Sequence, residues 1–105
     1  MPFVIRPYRR FPVVCSVTYE HWFQEGEGFV WNLSATGWRM SGNLLLQPKD
    51  ICSVNLTLPT KKPLFITAGI VRWVSGQDYG IETLVMEGKA QTRLGEYICE
   101  QMQSL

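Results

Sequence analysis

The stretch VVCSVTYE, residues 13–20, sets Val13, Cys15, Val17 and Tyr19 on one side and Val14, Ser16, Thr18 and Glu20 on the other. A period of two is the mark of a half-buried strand, and it returns often enough along the chain to restrict the body to an all-β fold. ICSVNLTL, residues 51–58, turns Cys52, Val54, Leu56 and Leu58 inward and Ser53, Asn55 and Thr57 outward. WRMS, residues 38–41, opposes Trp38 and Met40 to Arg39 and Ser41. FVWNL (29–33), LFITAGIVRWV (64–74) and YGIETLV (79–85) complete six strands, the fifth expected to bend or bulge at Gly69. Gly26 and Gly28 read as a turn or loop before the second strand, Pro48 as the next turn, and SGQD (75–78) as a hairpin. Pro59 and Pro63 bound a loop, because proline withdraws a ladder donor.

Near Glu87 the period changes. Ala90, Leu94, Ile98 and Met102 recur every four residues, with Tyr97 and Leu105 on the same side, as an amphipathic helix requires. Gly95 inside it costs about 1 kcal/mol relative to alanine, so the helix depends on packing against the sheet. Six short strands followed by one helix point to a small antiparallel barrel or sandwich, and closure into a barrel hides the strand edges. The 105 residues suffice for one core and one domain.

Charge and chemistry exclude more than they suggest. Net charge is +1, which gives no bulk attraction to DNA, RNA or an anionic membrane. No run nears the roughly 18 apolar residues of a membrane span, and MPFVIRPYRR has no apolar signal core; a cytoplasmic protein without membrane insertion is expected. Cys15, Cys52 and Cys99 lie far apart with no C-x-x-C spacing, so they are expected to be reduced and mostly buried. The single histidine, His21, is expected at the surface with no catalytic part. No metal-binding or phosphate-loop pattern occurs. An enzyme is not indicated, and neither is a cofactor.

Two local features remain. Arg6, Arg9 and Arg10 fall within five positions, in a stretch stiffened by Pro7 and Pro12, and the segment from residue 1 to 19 holds no acidic residue. A guanidinium offers five donors in a planar fork that matches phosphate oxygens and the O6/N7 edge of guanine. NLSATG, residues 32–37, interrupts the strand pattern. Taken alone, the arginines read equally as a solvated terminus, and Asn32 and Ser34 as groups that bond their own backbone in a turn, with Gly37 in a conformation closed to other residues.

Together and in this order they resemble the PilZ domain family. Arg6-Pro7-Tyr8-Arg9-Arg10 is similar to its R-x-x-x-R element and Asn32-Leu33-Ser34-Ala35-Thr36-Gly37 to its D/N-x-S-x-x-G element, while GIVRWV and YGIE resemble later strands, so the likeness spans about residues 5 to 87. The resemblance implies a six-stranded antiparallel β-barrel, a split Greek key, with a C-terminal α-helix. It also implies a receptor for the bacterial second messenger cyclic di-GMP. Arg6 and Arg10 would then grip phosphate and guanine edges, Arg9 would add a phosphate contact, Asn32 and Ser34 would reach the ligand from the barrel, and Gly37 would allow close backbone approach. Thr83 departs from the aromatic residue common in the family, and Trp38 is larger than the usual neighbour of the motif glycine.

Tyr8, Trp38 and Trp73 are stacking candidates, each with an ordinary core or surface reading beside it. The organisation expected is a flexible arginine segment over residues 1–12 and a single barrel domain over 13–105, in which ligand clamps the segment and exposes or hides a surface for a downstream protein. Two alternatives stay open. One is a PilZ-like interaction module in motility or pilus control that binds no nucleotide; the other is a small barrel for single-stranded nucleic acid.

Overall fold

The computed structural model describes residues 11–103. Its elements are β1 (Phe11–His21), β2 (Gln24–Leu33), β3 (Gly37–Gly42), β4 (Ile51–Thr57), β5 (Pro63–Ser75), β6 (Asp78–Val85) and α1 (Gly88–Gln103). Every pairing is antiparallel, and the sheet closes in the order β1-β2-β3-β6-β5-β4, with β4 returning to β1 through Val17 opposite Leu56 and Glu20 opposite Ser53. Closure leaves no long strand edge to template another chain. Six strands and one helix are thus as the alternation predicts, and β1 begins two residues before it becomes visible at Val13.

The inward set is the one the period of two defines. Val13, Cys15, Val17, Tyr19, Cys52, Val54, Leu56 and Leu58 are buried, and Trp38, Met40, Ile66, Val71, Tyr79 and Ile81 meet them from the other strands. Each such aliphatic side chain contributes about 1.5–3 kcal/mol by leaving water. Burial also raises the Cys15 and Cys52 thiols to about 11 from their usual value. Cys99 differs from expectation: it sits on an exposed face of α1.

Gly26 and Gly28 also differ. They lie inside β2, which turns back from β1 through only Trp22 and Phe23. A Cβ on Gly28 would overlap the Ser41 carbonyl of β3, and one on Gly26 would strike the Tyr19 ring. These glycines serve close approach within the sheet. The turn is made instead by two aromatic residues at φ 50° and 64°, a left-handed conformation that costs a side-chain-bearing residue about 1–2 kcal/mol.

The two ends of the barrel are built differently. At the hairpin end, Tyr19 and Tyr79 meet edge to face at 6.3 Å, and both phenols reach the crossover from β3 to β4: Leu44 N–H donates to the Tyr19 oxygen at 2.9 Å, and the Tyr79 hydroxyl donates to the Leu44 carbonyl. Burial and the Tyr19 contact raise the Tyr79 hydroxyl well above the usual phenol range. His21 closes this end, with Nδ1–H donating to the Ile51 carbonyl at 2.9 Å and Nε2 at 3.4 Å from Asp50; its side chain is only 12% exposed, so it is a tied residue rather than a free surface one.

The other end is covered by α1. Leu94 and Tyr97 are buried there, with Ala90 and Ile98 half-buried, beside Met86. Arg93 donates to the Pro63 carbonyl at 2.5 Å. The helix packs against β5, as its sequence requires. Leu105 lies outside the described residues. Among the described residues no helix is long and apolar enough to cross a membrane.

Candidate functional site

The bend between β2 and β3 sits on the helix end of the barrel. Ser34 is 2% exposed. Its hydroxyl donates to the Gly37 carbonyl at 3.0 Å and accepts from the N–H groups of Gly37 at 3.1 Å and Thr36 at 3.3 Å. A hydroxyl offers one donor and two acceptor sites, so Ser34 is saturated by its own loop. Its backbone N–H adds a bond to the Gly37 carbonyl at 2.9 Å. The turn-forming alternative of the sequence reading therefore describes Ser34 in this structure, and its chemical effect is to fix the bend.

Gly37 is not in the left-handed region; among the described glycines only Gly76 has a positive φ. What it needs is space. A Cβ at this position would overlap the Ile81 carbonyl of β6, so the glycine lets β3 close against β6 where the bend begins. The Thr83 N–H donates to the Thr36 carbonyl at 2.9 Å, fastening the bend to β6 from a second side.

Just before this bend Asn32 faces outward. It pairs with Pro12 of β1 and Arg39 of β3; Arg39 pairs with Gly80 of β6, and Gly80 with Trp73 of β5. With strands about 4.8 Å apart, the row from Asn32 to Trp73 measures about 14 Å along the surface, and because β2 and β5 stand three places apart in the closed six-strand order it curves around half of the barrel. Two bulges widen the row. The register shifts between Val30 and Asn32 and again between Val71 and Trp73, so Trp31 with Asn32, and Arg72 with Trp73, are adjacent pairs that both face out. Trp73 lies over Gly80, where a Cβ would overlap its indole nitrogen, and it remains 40% exposed.

Charge on this face is nearly balanced. Arg39 Nη2 is 3.0 Å from Asp78 Oδ2 and Arg72 Nε is 2.6 Å from Glu82 Oε2. Both pairs are exposed, and such pairs are worth about 0–1 kcal/mol, so an incoming anion can recruit either arginine at small cost. The larger share of positive charge in this part of the sequence is Arg6, Arg9 and Arg10. These three and Tyr8 lie outside the described residues, as does the expected flexibility of their segment. The strand they precede starts at Phe11, opposite Leu33 and beside Asn32.

Trp38 requires a correction. It is 1% exposed, inside the barrel, with its Nε1–H directed at the Met40 sulfur at 3.3 Å. It presents no face on which a base can stack. The reason was already in the alternation, which puts Trp38 in phase with Met40. Arg39, Arg72 and Gly80 were not singled out as site residues. Arg39 had a signal, an outward arginine two positions past the motif glycine; Gly80 stands in the YGIE stretch that resembles a family strand, but its service to Trp73 depends on a ring brought over it from another strand. On the far side of the bend an open groove of about 390 Å³ runs between Thr36, Leu84 and α1. Among the described residues no group of three His, Cys, Asp or Glu side chains comes together to hold a metal.

A closed six-stranded barrel, capped by a helix and carrying a serine-bound bend beside an open outer face, has the architecture of a small binding module. The PilZ domain model matches residues 5–100; the chain belongs to the PilZ domain family. The Bacillus subtilis inhibitor of motility MotI/DgrA has a similar structure, with a TM-score of 0.79 and 19% identity over 98% of this chain. The chain spans about half of that protein, 54%. The PilZ domain of CeSA from a cellulose-synthesizing bacterium is also similar, with a TM-score of 0.69, 11% identity and coverage of 90% of this chain and 98% of that one. No curated protein matches the chain by sequence.

Proposed function

We propose that this protein is a receptor for cyclic di-GMP that binds it between the arginine segment and the outer row from Asn32 to Trp73. Family membership supports the ligand class, and the observation that carries the placement is the row itself: Asn32 held at its start by a saturated bend, Trp73 exposed at its end, and β1 entering alongside. Arg10 is one peptide bond from Phe11, and the four steps from Arg6 to Arg10 span at most about 14 Å. Arg10 is therefore within reach of a ligand held at the Asn32 end of the row, and Arg6 can extend along it.

The chemistry suits the ligand. Two phosphodiester charges meet the arginine forks in charge-assisted hydrogen bonds, each worth about 1.5–3 kcal/mol. Guanine O6 and N7 accept from a guanidinium, and the indole of Trp73 offers a stacking surface, worth about 1–3 kcal/mol per base. Arg9 adds a phosphate contact. Arg39 turns from Asp78 to the ligand. Gly37 and Ser34 act through the bend that positions Asn32. Binding draws the arginine segment against the barrel and thereby changes the surface offered to a downstream protein.

Calorimetric titration of the full chain tests this. Cyclic di-GMP is expected to bind with a Kd of about 1 µM, near −8 kcal/mol, whereas cyclic di-AMP and GTP bind far more weakly. Arg6→Ala and Arg10→Ala should each weaken binding at least about tenfold, since each removes a charge-assisted contact of roughly 1.5–3 kcal/mol. No binding by the parent protein, or unchanged affinity in both variants, would overturn the assignment.

A further inference from the structure

The β1–β2 hairpin tip lies at the opposite end of β2 from the bend, ten residues or about 30 Å away. Three of its features work against folding. Trp22 and Phe23 hold positive φ values of 50° and 64° in a two-residue turn that favours Asn-Gly. Both are exposed, Trp22 at 78% and Phe23 at 95%, so neither gains burial in return. Beneath them Glu20 and Glu25 stand directly opposite across the strand pair, a like-charge arrangement that weakens a sheet. Among the described residues no ion pair engages either carboxylate.

Strain and exposed aromatic area gathered at one tip point to a surface kept for binding. A groove of about 470 Å³ separates the tip from the end of the β3–β4 crossover, with Trp22, Phe23 and the half-exposed Ile51 as its apolar wall. The groove and its flank carry three carboxylates, Glu20, Glu25 and Asp50, against one lysine, Lys49. That charge repels an anionic lipid surface and attracts a basic segment. We propose that this tip docks a basic amphipathic segment of a partner protein, its apolar residues between Trp22, Phe23 and Ile51 and its lysines or arginines on Glu20 and Glu25. The claim is independent of nucleotide binding, because the surface is complete without it.

The test uses the full chain, isotope-labelled for NMR, and a synthetic amphipathic peptide of leucine and lysine about 14 residues long, a four-turn helix. Amide shifts are expected at Trp22, Phe23 and Ile51, with affinity falling as salt rises. The same peptide with glutamate for lysine should not bind. Trp22→Asn with Phe23→Gly should weaken peptide binding at least about tenfold while raising Tm by roughly 5 °C, since it relieves the turn, so the loss is not unfolding. Glu20→Gln with Glu25→Gln should weaken it about threefold, the scale of rim charges. The proposal is overturned if the glutamate peptide binds equally, if the Asn-Gly variant keeps full affinity, or if the shifts fall elsewhere. It is equally overturned if phosphatidylglycerol vesicles engage the tip while the peptide does not, or if sedimentation shows a tip-dependent dimer in which a second copy is the occupant.

Discussion

The indole of Trp73 lies directly over Gly80, its neighbour on β6, so closely that no side chain fits between them. The glycine thus sets the height of the ring above the sheet and keeps it at the end of the row that begins with Asn32. Gly80→Ala should push the indole away and lower stability by about 1–3 kcal/mol, the usual cost of overpacking. Trp73→Ala should leave the fold intact and weaken cyclic di-GMP binding by about 1–3 kcal/mol, the scale of one stacked base. Thermal denaturation and calorimetry on the two variants separate the effects; equal affinity in Trp73→Ala would remove this ring from the site.

Ser34→Ala is expected to be costly for a surface-loop change. It strips the bend of three hydrogen bonds and leaves the Gly37 N–H without that acceptor in a buried setting, at a cost of about 1–3 kcal/mol. In a domain of this size 1 kcal/mol lowers Tm by about 4–8 °C. A melting curve shows it, and nucleotide affinity should fall with it, because Asn32 depends on the same bend.

Gly95→Ala should stabilise the protein. A Cβ at Gly95 meets nothing within 4 Å, and its φ is not positive, so alanine fits the helix unchanged. The gain is about 0.4–1 kcal/mol through the unfolded chain. Chemical denaturation would read it as a higher midpoint with an unchanged slope.

The thiols and phenols make the protein alkali-sensitive. Cys15 and Cys52 are raised by burial to about 11, so the unfolded chain ionises them first. Their contribution is complete below about pH 9 and is lost as pH rises toward 11. Tyr79 and Tyr97, both raised chiefly by burial, add to the loss above about pH 10. Denaturation midpoints should therefore fall across this window. At pH 8 a thiol reagent should label Cys99 quickly and the other two only after unfolding.

The barrel was legible because burial follows a period of two, which Val13 through Glu20 and Cys52 through Leu58 obey without a break. What local pattern cannot carry is what another strand brings. Gly26 and Gly28 resemble a turn by composition, yet their need for hydrogen in place of a side chain comes from Tyr19 and Ser41 across the sheet. The bulges that aim Asn32 and Trp73 outward are properties of paired strands, and the Arg39–Asp78 contact joins residues 39 positions apart. Asn32, Ser34 and Gly37 stand out by their spacing, and its turn reading already gives Ser34 bonds to its own backbone; what the spacing does not carry is that Gly37 makes room for the Ile81 carbonyl.

The two core phenols that grip Leu44 from opposite sides, one giving and one receiving a proton in its hydrogen bond, act as a rivet through the crossover between the barrel halves. Sliding one half past the other would break both bonds inside the protein. If cyclic di-GMP binds on the outer row as proposed, this rivet resists sliding between the strands, and the barrel would respond by turning as one piece.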